Sequence, residues 1–167
     1  MPKHDIINKL EENIAAELKA IDREEQFDRM LDDCYSFEGV GGPFSSMSPS
    51  QVLKEVDPTA HRCGVNDYAD GENWVEVDGE YYDQDEAEKV KEELVDEIES
   101  AIDNKEAEIE DNITEIVSLR EELTEADEEE KHGILDEIQD RERDGIILKT
   151  ESTTLQETLK TLNDHSF

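Results

Sequence analysis

Three stretches of the chain hold residue types that metals, phosphates or proton transfer require. Asn66 to Val77 spaces its polar side chains like a calcium loop, with Asp70-Gly71 at the fifth and sixth positions. Such a loop needs carboxylates at its third and twelfth positions, where Tyr68 and Val77 stand, so the spacing does not support calcium binding. Gly39, Gly41 and Gly42 could open a phosphate-cradling turn, but no Gly-Lys-Ser/Thr follows, and the segment reads as a Gly-rich turn. His61 and Cys63 lie two apart on a predicted helix and therefore point to different faces. The other histidines, His4, His132 and His165, are scattered, so the sequence assembles neither a zinc set nor a Cys–His nucleophile pair. No catalytic, cofactor-binding or metal-binding residue is expected.

What remains is carboxylate in quantity. The 167 residues carry 49 Asp and Glu against 16 Lys and Arg, a formal net charge of −33. The excess is uneven: Asp83 to Asp144 holds 27 acids and 7 bases, while the segment from Gly145 onward is near neutral. Paired acids are frequent simply because acids are frequent, and none is matched with an arranged partner for acid–base work. The unevenness also argues against general adaptation to high salt. A helix of forty residues is about 60 Å long, so this stretch carries about one net charge per 3 Å of axis. Duplex DNA carries one per about 1.7 Å. Like charges at this density cost stability, and mixed-sign faces would give solubility at lower cost.

The same charge excludes partners. Binding DNA requires cations that replace its counterions. This chain would repel nucleic acid and anionic membranes alike, which leaves basic protein surfaces. The longest aliphatic run, Ile146-Ile147-Leu148, is far short of a membrane span. The first residues show no apolar core of signal-peptide length. Cys34 and Cys63 form no CxxC pair and are read as reduced thiols. These features predict a cytoplasmic protein, in a host cell if the chain is phage-encoded.

The elements that must position the acids follow from apolar spacing. With 34% hydrophobic and 39% charged residues, a thick core is not expected. The predicted fold class is mainly α: a long antiparallel coiled-coil hairpin, a small α+β module with one β-hairpin, and an N-terminal helix. The predicted domains are 1–34, 35–84 and 85–167. Ile7, Leu10, Ile14, Leu18 and Ile21 step by three or four and predict one amphipathic helix from residue 4 to about 34. Ser48-Pro49 and Asp57-Pro58 each pair an N-cap with Pro at the first helical position, predicting short helices through Val56 and about Tyr68. Trp74 to Val77 alternates, Asp78-Gly79 is a two-residue turn, and Glu80 to Tyr82 returns. A lone hairpin is marginal in water, so Trp74 is expected to be substantially buried.

Asp83 is the predicted cap of a long helix with Val95, Ile102, Ile109, Ile116 and Leu123 at heptad position a. Position d holds Ile98, Lys105, Asn112, Leu119 and Ala126. After a break near Glu125 to Glu128, Ile134, Ile138, Arg141, Gly145 and Leu148 carry the seam of the return helix, which continues through Leu155, Leu159 and Leu162. Folding about residue 127 sets Ile116 near Ile138, Asn112 near Arg141, Ile109 near Gly145 and Ile98 near Leu155.

The segment from Met47 to Tyr68, MSPSQVLKEVDPTAHRCGVNDY, follows FDRMLD from Phe27 and precedes the Asp-Gly hairpin. Over roughly residues 24 to 95 it resembles small uncharacterised phage-encoded proteins. The resemblance implies a phage origin and no catalytic residues. In charge, though in no motif, the chain is similar to phage inhibitors that imitate DNA. The expected function is therefore a non-enzymatic acidic protein that blocks the basic nucleic-acid groove of a host defence or DNA-handling protein. Its expected contacts are the outward heptad positions Asp96, Glu97, Asp103, Glu110, Asp111, Glu121, Asp136 and Asp140. The alternative is a coiled-coil scaffold or assembly protein of a phage particle, associating through the N-terminal stripe of Leu10 and Ile14, with a homodimer as one form.

Overall fold

A computed structural model describes residues 3–37, 42 and 45–166. Apart from Gly42, the predicted Gly-rich turn at residues 39–43 lies outside them. The element order is α1 (Lys3–Glu17), α2 (Arg23–Cys34), α3 (Pro49–Val56), α4 (Pro58–Ala69), β1 (Trp74–Val77), β2 (Glu80–Asp83), α5 (Gln84–Glu125) and α6 (Glu130–Asn163). The fold is mainly α with one antiparallel hairpin. Among the described residues, no helix is long and apolar enough to cross a membrane.

The predicted single N-terminal helix is two helices, and this is a correction. Between them Ile21 pairs with β2, its amide donating to the Tyr81 carbonyl at 2.7 Å. Asp22 then caps α2 by accepting from the Glu25 amide at 3.0 Å. An Asp side chain competes for main-chain donors and so favours a helix start over a helix interior.

The other boundaries follow their signals. Ser48 and Gln51 form a reciprocal capping box ahead of Pro49, and Asp57 accepts from the Ala60 amide at the start of α4. Asp78 and Gly79 take φ of +50° and +83°, the mirror-image turn that suits a two-residue hairpin. Asp83 accepts from the Glu86 amide at the entry to α5. Asp127 accepts from the amides of Glu129 and Glu130 and turns the chain into α6.

The chain divides into two compact units, and the divisions fall within α1 and α5. The first unit is Lys91–Ser166 with the described residues up to Leu10; the second is Glu11–Val90. In the second, Phe27, Val65, Ala69, Val75, Val77 and Tyr82 are buried. Trp74 is half-buried, with most of its surface covered as expected, and meets Tyr68 edge-on at 5.7 Å. The buried sheet face is that of Val75, Val77 and Tyr82, and Trp74 belongs to the alternate set. In the first unit Ile6, Leu10, Leu94, Ile98, Ile102, Ile138 and Leu162 are buried. Lys9 of α1 reaches Glu97 of α5 at 3.4 Å, so α1 lies beside the hairpin there.

Candidate functional site

The helical hairpin has the predicted antiparallel register. Arg120 reaches Glu142 at 2.7 Å, Arg141 reaches Glu115 at 2.8 Å and Lys105 reaches Glu151 at 3.2 Å, pairings in which α5 numbers rise as α6 numbers fall. The apolar seam between the helices directs the other positions outward, and all eight sequence-predicted contacts, Asp96, Glu97, Asp103, Glu110, Asp111, Glu121, Asp136 and Asp140, are exposed. Glu97 pairs with Lys9, Asp140 with Arg143 at 2.7 Å, and Asp136 faces His132 at 3.9 Å. Asp96, Asp103, Glu110, Asp111 and Glu121 have no ion partner among the described residues. Their charge is therefore left to solvent or to a partner.

The polar layer of the seam differs in one respect from expectation. Asn112 is buried and donates from Nδ2 to the main-chain carbonyl of Arg141 at 3.1 Å. The Arg141 side chain leaves the seam for Glu115. A guanidinium gains more from an exposed carboxylate than from an apolar seam where its five donors would go unmet. Gly145 makes room for the amide, since a Cβ there would lie 3.3 Å from Asn112 Nδ2. The Asn112 Oδ1 is buried without a hydrogen-bond partner among the described residues.

The smaller unit holds a charged cluster that sequence reasoning missed. Glu24, Asp28 and Asp32 stand four apart and form one stripe along α2. Asp32 accepts from the Ser50 amide at 2.8 Å and from its hydroxyl at 2.9 Å, at the start of α3. Lys54 Nζ lies 2.6 Å from Asp28 and 2.7 Å from Glu24. His61, 6% exposed, sets Nε2 2.7 Å from the other Asp28 oxygen. Burial opposes ionisation of Asp28, but hydrogen bonds from Lys54 and His61 outweigh it and hold the carboxyl below its usual range. Hydrogen bonds to Asp28 and Glu24 push the Lys54 ammonium above its own.

Glu24, Asp28 and His61 bring three potential ligand atoms within 4.8 Å of one another. The Lys54 ammonium already touches both carboxylates, so the cluster carries its own cation and ties three helices together. The helical repeat of the acids was the available signal, and it was lost in a chain where acids recur everywhere.

A cleft of about 820 Å³ opens beside this cluster, lined by Arg23, His61, Arg62 and Tyr81 among others. Arg23 stacks over the Tyr81 ring at 4.2 Å and donates to its hydroxyl, which donates to Glu76 at 2.9 Å. These contacts join the start of α2 to the β-hairpin. The rejected calcium loop is divided between the end of α4 and β1. No family model, no curated protein and no solved structure matches the chain.

Proposed function

We propose that this is a non-enzymatic, phage-encoded protein whose acidic hairpin occupies the basic nucleic-acid groove of a host defence or DNA-handling protein in place of DNA. The observation that carries the reading is the row of exposed carboxylates on α5 and α6, among which Asp96, Asp103, Glu110, Asp111 and Glu121 have no ion partner among the described residues. A rigid helical pair holds such charges at fixed spacing, which lowers the ordering cost of binding. The field of the acidic faces would steer a cationic groove towards them and weaken with salt.

The test is reversal of Asp96, Asp103, Glu110 and Asp111 to Lys together. Capture of basic lysate proteins on the immobilised chain should be lost, with helix content unchanged by circular dichroism. Duplex DNA should elute the partner captured by the parent chain. A partner that stays bound in molar salt and ignores added DNA would sink this reading.

A scaffold role draws support from a different observation, the exposure of Ile113, Val117, Leu135, Ile146 and Ile147 on the hairpin. Leu10 and Ile14, by contrast, are 0% exposed, so these two side chains offer no surface for self-association. The scaffold reading requires concentration-dependent assembly, measured by sedimentation, that Ile146→Lys abolishes.

A further inference from the structure

We infer that the cleft between α5 and α6 around Asn112 seats a cationic helical segment of the partner protein, anchored there by an arginine; this rests on the basic-partner reading above. In the hairpin unit α1 acts as a third helix. Residues up to Leu10 belong with α5 from Lys91 onward, and Lys9 meets Glu97. There Leu94, Ile98 and Leu162 are buried. Glu97 and Asp111 are two heptads apart and so share a face of α5. Further along, that face opens into a cleft of about 430 Å³, flanked by Asp111 and Asp144 and walled by Ile147 and Leu148. Ile147 is 55% exposed. Two heptad helices leave apolar flanks open where no third helix covers them. The cleft continues the face that α1 covers.

The chemistry of the cleft selects its occupant. Asp111 and Asp144 have no ion partner among the described residues. Asn112, 6% exposed, is among the residues lining the cleft, and its Oδ1 is a buried acceptor with no hydrogen-bond partner among the described residues. Arg141, also lining it, is engaged by Glu115. The site is thus rich in acceptors, and the cations at it, Arg141 and Lys105, are already engaged by Glu115, Glu108 and Glu151. A guanidinium supplies five donors in a planar fork, and its stem can lie along Ile147 and Leu148. An ammonium would satisfy the carboxylates as a point charge only. A second copy of the chain would bring another 33 negative charges, and nucleic acid or an anionic lipid surface would be repelled. The cleft's volume lies in the lower part of the range of ligand sites, about 300–1,000 Å³.

The test uses the full chain and two alanine-based helical peptides, one with arginines and its twin with lysines, titrated at about 0.1 M salt. The arginine peptide should bind about fivefold tighter, a preference worth about 1 kcal/mol. It should shift the Asn112 side-chain amide signals, and the lysine peptide should not. Asp111→Asn with Asp144→Asn should remove the preference. Asp96→Asn with Asp103→Asn, an equal loss of charge outside the cleft, should weaken both peptides alike and keep the preference. All four sites are exposed, so the fold should survive. Equal affinity for the twins, or equal effects of the two double variants, would overturn the arginine seat and leave the diffuse acidic-face reading standing. If neither peptide binds at low salt, both readings fall. Self-association mapping to Ile147 would assign the cleft to a second copy and overturn the proposal.

Discussion

At Gly64 the backbone of α4 comes so close to α2 that an added Cβ would lie 2.5 Å from Cζ of Phe27. Phe27 is itself held between His61 and Tyr68, with ring centroids at 5.4 and 6.0 Å, so it has little room to yield. Gly64→Ala should destabilise the protein by about 1–3 kcal/mol in urea unfolding despite alanine's better helix propensity. A neutral or stabilising result would mean that α4 can shift. The Asp28 cluster permits a second test. Asp28→Asn removes a carboxylate held in its ionised form, whose stabilisation is complete above the unfolded value of 3.8 and fades as pH falls through the lower folded value. The difference in melting temperature between parent and variant should therefore be constant near neutrality and close below that pH. A gap that persists well below pH 3.8 would contradict the assigned pairing.

Among the elements, the hairpin is the one whose register can be tested directly. Asn112 costs stability because its Oδ1 is buried without a partner, while its Nδ2 bond to the Arg141 carbonyl fixes where the helices meet. Asn112→Leu should raise the melting temperature by several degrees. Arg141→Leu should change stability by less than about 1 kcal/mol, since it breaks only a largely exposed pair with Glu115. Cysteines at Ile116 and Ile138 should cross-link in the parent and less selectively in the Asn112→Leu background, where alternative registers compete. A lower melting temperature for Asn112→Leu would show that the amide is needed for stability itself. For α2, Asp22→Ala should cost about 1 kcal/mol through loss of the cap.

On the scale of the whole molecule, repulsion among 33 excess negative charges opposes the compact state. Raising sodium chloride from about 10 mM to about 0.5 M shortens the screening length from about 30 Å to a few ångströms. The melting temperature should rise by several degrees. The same change should weaken binding to a cationic partner, so stability and affinity should respond to salt in opposite directions. A melting temperature that falls with salt would show that the cross-helix pairs, such as Arg120 with Glu142, outweigh the repulsion.

Local chemistry made much of this architecture legible in the sequence. Ser48-Pro49, Asp57-Pro58 and Asp78-Gly79 act through neighbouring backbone groups, so their caps and turn could be read without a fold. The heptad spacing of α5 and α6, with Asp127 at the bend, determined the hairpin and its register, because apolar seams must face each other. The outward acids followed from the same geometry. Three matters were decided only by tertiary structure. The helix break at Ile21 depends on a β2 carbonyl that is distant in sequence. The assembly of Glu24, Asp28, Lys54 and His61 depends on three helices meeting, and no spacing within one helix reveals its partners. The cleft at Asn112 exists because α1 covers one part of the hairpin and leaves the next open. Sequence periodicity marks which residues are apolar, but only the packing decides which of them are left for a partner to cover.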